Sequence, residues 1–100
     1  MNKAEQLKDA AATNHLVLVE FYADWSPHYE WLEPVVERYA RQLSKKIEVI
    51  KVNIGIDEML ADSHNVGTAP TFLLLLWGKE LWRQVGELTL DELQVVLDEF

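Results

Sequence analysis

The sequence predicts an α/β domain, a mixed four-stranded sheet with helices on both faces. Three observations carry that reading. Leu16–Tyr22 and Thr71–Trp77 are apolar on both alternating faces, the pattern of strands covered on both sides. Segments of helical period alternate with these strand-like runs. At 100 residues, with 49% apolar and 26% charged, the chain has the size and composition of one globular domain spanning residues 1–100.

Residues 3–12 are rich in Ala, Lys, Glu and Gln and predict a short helix ending near Thr13-Asn14. The first strand follows at Leu16–Tyr22. A long helix is expected from about Pro27 to Leu43, with Leu32, Val35, Val36, Tyr39, Ala40 and Leu43 as its buried stripe. Ile47–Ile54 is β-branched and predicts the second strand. Asp57 is a candidate cap for a short helix reaching Ser63. Thr71–Trp77 gives the third strand, and Gly78-Lys79 turns the chain into a half-exposed partner at Leu81–Val85. Trp77 and Trp82 are expected to pack in the core and across this hairpin. The last helix carries the capping box Thr89/Glu92 and the staple Leu88/Leu93, with Leu90, Leu93, Leu97 and Phe100 on one face. In the order α-β-α-β-α-β-β-α, two right-handed β-α-β crossovers are expected.

Composition excludes several function classes. Seventeen acidic residues against nine basic ones leave the chain at about −8 at pH 7, a charge that repels phosphate backbones and anionic headgroups. Neither nucleic-acid nor membrane binding is expected, and the apolar run Phe72–Trp77 is too short to span a bilayer. With no cysteine, the chain has no disulfide, thiolate metal site or cysteine nucleophile. No apolar segment follows Met1-Asn2-Lys3-Ala4-Glu5, so a cytoplasmic location is the expectation.

The stretch Leu18-Val19-Glu20-Phe21-Tyr22-Ala23-Asp24-Trp25 resembles the strand entering the active site of thioredoxins and of protein disulfide isomerase catalytic domains. The similarity continues through Pro34, where that family kinks its second helix, through Ala69-Pro70-Thr71, which matches its cis-proline loop, and through Gly78 and Gly86. It covers roughly residues 5–100 and implies a thioredoxin-like fold. Two departures stand out. The redox pair of cysteines falls on Ser26-Pro27-His28-Tyr29, and no sequence is available for the family's first strand. Four strands are therefore expected, with Ile47–Ile54 at an edge that is either covered by the N-terminal helix or paired with a second copy of the chain.

Disulfide exchange needs a thiolate, so Ser26, Pro27, His28 and Tyr29 are a degenerate motif with no catalytic residue. Ser26 and Pro27 are read as an N-cap and first helical residue, Ser26 accepting the Tyr29 backbone N–H. A serine hydrolase is disfavoured, because Ser26 and His28 do not face each other at that spacing and no motif supplies the acid. His28 matches the histidine of the isomerase motif, with no thiolate to act on. Asp24, His28 and Glu30 lack metal-ligand spacing, and no metal or cofactor is expected. His15 and His64 are read as solvated. Tyr22 and part of Trp31 are read as cover for the core. In the resembling families the position of Glu20 is a buried carboxylate with a lysine on the adjacent strand, here Lys51. Pairing between the two is the expected way for that charge to persist in the core.

The function expected is non-catalytic: a module that binds an extended protein segment in a groove beside cis-Pro70, built from Trp25, Ser26, His28, Tyr29, Thr68, Ala69 and Pro70. Trp25 matches the exposed tryptophan of the family's groove, and plain packing is the competing explanation for the aromatics around it. The alternative is a member of a redox-homeostasis pathway that is inert alone. Cysteines engineered out of an active enzyme form a third reading, against which the altered middle pair Pro27-His28 argues.

Overall fold

The computed structural model describes residues 2–100. It holds α1 (Lys3–Ala11), β1 (Leu16–Tyr22), α2 (Leu32–Gln42), β2 (Ile47–Asn53), α3 (Glu58–Ser63), β3 (Thr71–Leu76), β4 (Lys79–Val85) and α4 (Leu90–Glu99). The strands form one sheet in the order β2-β1-β3-β4. β1 runs parallel to β2, with Leu16 opposite Ile47, and antiparallel to β3, which pairs antiparallel with β4. Thus β2 is an outer strand. Only β1-α2-β2 joins parallel strands, because β3 reverses direction after α3. The second expected crossover is absent.

The alternation of β1 divides the core. Leu16 and Leu18 face one way and pack with Phe72, Leu74, the α2 residues Leu32, Val35 and Val36, and the α4 residues Leu93, Val96 and Leu97. Val17, Val19 and Phe21 face the other way and pack with Leu7 and Ala10 of α1, Ile50, Val52, Leu73, Leu75 and Ala61 of α3. Both central strands are buried on both sides, as their double apolar pattern requires.

Asn2 caps α1 by accepting the Glu5 backbone N–H at 2.8 Å. The capping box of α4 is complete: Glu92 N–H donates to Thr89 Oγ1 at 3.1 Å, and Thr89 N–H to Glu92 Oε1 at 3.0 Å. Leu88 and Leu93 are both buried, while Leu90, expected on the buried face, is exposed and Val96, not expected there, is in the core. Asp57 makes no side-chain cap bond to α3.

The second helix starts later than expected. It begins at Leu32, not near Pro27, so Pro34 sits in its first turn and kinks nothing. Proline has no N–H to donate, and in the first turn no intrahelical bond is lost. A helix running from Pro27 would have lacked the Pro34 bond and pressed the ring on the preceding turn. The stripe is also shorter: Leu32, Val35 and Val36 are buried, Tyr39 and Ala40 half-buried, and Leu43 exposed.

The β3–β4 turn is formed by Trp77 and Gly78, both at positive φ (53° and 75°), so the strands close one residue earlier than expected. Trp77 is consequently exposed and not in the core. Trp82 packs against the core from opposite Leu74.

Candidate functional site

β1 and β2 end at the same edge of the sheet, where β3 begins. The loop from Ala23 to Trp31 starts there and is held from within. Ser26 Oγ accepts the Ala23 backbone N–H at 3.1 Å and donates to the Ala23 carbonyl at 2.9 Å. The Ser26 N–H also donates to that carbonyl, at 3.0 Å. Ser26 is therefore buried and bonded backwards. It does not cap a helix, and it is not a polar rim of a groove.

Asn53 completes the anchorage, a role not read from the sequence. Its Nδ2 donates to Asp24 Oδ1 at 3.0 Å, and its Oδ1 accepts the Gly55 N–H at 2.8 Å. The only sequence signal is an amide at the end of a β-branched run, where Asn closes local turns. Between these anchors Trp25 projects outward, 74% exposed. Ile56 and Met59, just past the end of β2, are exposed as well and were not among the expected site residues.

Across the sheet end, Thr68 is exposed while Ala69 and Pro70 are buried. The Ala69–Pro70 peptide is cis. Thr71 Oγ1 donates to the Thr68 carbonyl at 2.8 Å, and Gly86 donates its N–H to the Pro70 carbonyl at 2.9 Å. Gly86 has φ 97°, a conformation that side chains disfavour, so glycine suits this closure.

Tyr29 points inward. It is 8% exposed and meets Phe72 and Trp31 edge-on, with ring centroids 5.3 and 5.6 Å apart. Its ring packs into the core and does not project beside Trp25. Pro27 and His28 are exposed, and His28 lies at no helix N-terminus because α2 starts four residues later.

Glu20 is buried, 3% exposed, on the face that carries Leu18. Lys51 is its cross-strand neighbour. The expected pairing is not made: Lys51 Nζ bonds Glu33 Oε1 of α2 at 3.0 Å, and Glu20 Oε1 has no partner. Lys51 reaches the more exposed acid because its chain carries the ammonium out to solvent. Burial raises the Glu20 pKa above the ordinary carboxylate range, with Glu33 adding repulsion, while Lys51 and His28 oppose the rise. The Lys51 pKa is raised, first by its bond to Glu33.

The Tyr29 hydroxyl is the other buried side-chain atom without a partner among the described residues. Burial raises its pKa; the Leu88 backbone amide opposes this from outside hydrogen-bond geometry. Both orphaned atoms belong to residues lining one pocket of about 260 Å³, with Tyr22, His28, Glu30 and Lys51 as the other walls. Among the described residues no three His, Asp or Glu side chains are placed to hold a metal ion, and no helix is long and apolar enough to cross a membrane. His64 is half-buried, contrary to expectation. Its ring lies 5.9 Å from Phe21, and its pKa is lowered by burial and then by Arg83.

A four-stranded mixed sheet, helices on both faces and an anchored loop joining β1 to α2 define a thioredoxin-like protein with no thiol in that loop. The sequence model named Thioredoxin matches residues 1–99. The chain belongs to the thioredoxin family. It is 35% identical over 82 residues to a thioredoxin of Chlamydia trachomatis, covering 82% of this chain and 78% of that protein. It is 33% identical over 75 residues to thioredoxin-T of Drosophila melanogaster, covering 75% of this chain and only 48% of that protein. A mutant thioredoxin from Halobacterium salinarum superposes with a TM-score of 0.76 at 33% identity, covering 95% of this chain and 82% of that one.

Proposed function

We propose that this chain is a non-catalytic polypeptide-binding or adaptor module that takes an extended protein segment across the sheet end between Trp25 and the Thr68–Pro70 loop. The observation that carries the reading is the exposure of Trp25 on a loop fastened at both sides, by Ser26 to Ala23 and by Asn53 to Asp24. A large apolar side chain held rigidly in solvent gains most by contact with another molecule and loses little entropy in doing so. Exposed Thr68 supplies a polar edge opposite. Ser26, Tyr29 and Ala69 support the surface from beneath. Because Ser26 and Tyr29 carry no thiol, no covalent bond can trap the segment, and affinity rests on these contacts alone. So small a surface favours binding at micromolar strength or weaker. Cytoplasmic residence belongs to the same reading, and the β2 edge offers a separate contact between two copies of the chain.

The family match favours one second reading, a partner-dependent place in a redox-homeostasis pathway, with the thiol on the partner. NMR titrations with unfolded polypeptides, one set cysteine-free and one carrying a free thiol, separate the two. Binding that shifts Trp25 and Thr68 supports the module. Binding that perturbs only the β3–β4 hairpin or the β2 edge overturns it, and binding confined to a thiol-bearing partner favours the pathway reading.

A further inference from the structure

Glu20 and Tyr29 are each more than nine-tenths buried, each has an oxygen with no hydrogen-bond partner, and both line the same pocket. Buried polar atoms are almost always satisfied, so two orphans on residues that wall one space leave hydrogen-bonding capacity there for a guest to use. The pocket opens at the exposed residues His28 and Glu30, in the loop that carries Trp25.

The lining selects the chemistry of that guest. Two carboxylates, Glu20 and Glu30, face the space. The cation beside them, Lys51, is engaged by Glu33 at 3.0 Å, and His28 is the remaining basic ring. An anion would meet the two acids, and a metal ion finds no set of three ligands. A cation with several donors fits. A guanidinium suits the space better than an ammonium: its planar fork reaches two acceptors at once, it is less strongly hydrated, and it stacks on an aromatic face such as that of half-exposed Tyr22. The Tyr29 hydroxyl oxygen would accept a further N–H. We propose that this pocket receives an arginine side chain of the extended segment, with Glu20 and Glu30 accepting its N–H groups.

This inference rests on the polypeptide-binding reading and adds a specificity to it. The test uses one cysteine-free peptide of glycine and serine carrying a single arginine, and its twin with neutral citrulline, each titrated into the intact protein by NMR. The arginine peptide is expected to shift His28, Tyr29, Glu30 and Lys51. The twin should bind on the order of tenfold more weakly, the effect of one charge-assisted hydrogen bond. Glu20→Gln should abolish the preference while keeping the side-chain shape, and Tyr29→Phe should reduce it while keeping the core ring. Equal binding of the twins to the native protein, no shift around the pocket, or an undiminished preference in Glu20→Gln would each overturn the proposal and leave the pocket to water. If other peptides still shift Trp25 and Thr68, only the arginine assignment falls. If the arginine peptide fills the pocket while Trp25 and Thr68 stay silent, the wider polypeptide reading falls instead.

Discussion

Lys51 stands directly across the β1–β2 ladder from Glu20, yet its ammonium is held by Glu33 of α2, 3.0 Å away. The buried acid thus feels its neighbour's charge without bonding it. The half-exposed lysine and the exposed glutamate form a surface bridge above the buried acid.

Two substitutions should move the Glu20 titration in opposite directions. Lys51→Met removes the main charge holding its pKa down and should raise it further. Glu33→Gln removes a repulsion and frees Lys51, and should lower it. The titration of the Glu20 carboxyl carbon by NMR checks both. Loss of the bridge in Glu33→Gln should cost at most about 1 kcal/mol, because the pair is solvent-screened. Shifts in the same direction would mean that Lys51 does not set the field at Glu20.

Glu20→Gln should stabilise the protein at neutral pH. The folded pKa of Glu20 lies above its unfolded value, so the folded state binds the proton more tightly. Native stability therefore falls as pH rises from the unfolded pKa through the folded one, and below the unfolded pKa this penalty vanishes. Urea unfolding at several pH values should show the advantage of Glu20→Gln shrinking as the medium becomes acid. An advantage independent of pH would sink the assignment.

Ser26→Ala should cost about 1–3 kcal/mol, because the Ala23 N–H loses its acceptor in a buried place. The Ala23 carbonyl keeps the Ser26 N–H. Denaturant unfolding measures the loss, and a neutral result would mean that water reaches the loop.

Restoring both thiols, by Ser26→Cys with Tyr29→Cys, should destabilise the reduced protein by about 3–5 kcal/mol, the usual cost of removing an aromatic ring from a core. The ring lost is the one packed against Phe72 and Trp31. Unfolding under reductant checks this, and a loss below that range would show that the neighbours close over the space.

The native chain should give no turnover in an insulin-reduction assay with excess reductant and a coupled reductase. It has no cysteine to form the mixed disulfide. Turnover from a preparation free of other thioredoxins would disprove this.

By itself the sequence determined the features that depend on local period and local chemistry. Leu16–Tyr22 had to be a strand covered twice, since both of its faces are apolar, and Thr89 with Glu92 had to start a helix, since each satisfies the other's backbone. The absence of cysteine excluded thiol–disulfide exchange by this chain before any fold was known, and the family landmarks put Trp25 and Pro70 in neighbouring loops. Only the tertiary structure decided where each side chain found its partner. Ser26 and Pro27 are a good helix start in isolation, but Pro34 and the Ser26–Ala23 bonds delay the helix to Leu32. Tyr29 could have faced solvent beside Trp25, and a space next to Phe72 draws it into the core. Lys51 had two acids within reach and bonded the one near solvent, where its ammonium keeps its hydration and the carboxylate is not left in the dry interior. Such choices are competitions among groups far apart in the chain, and they are resolved only when packing brings them together.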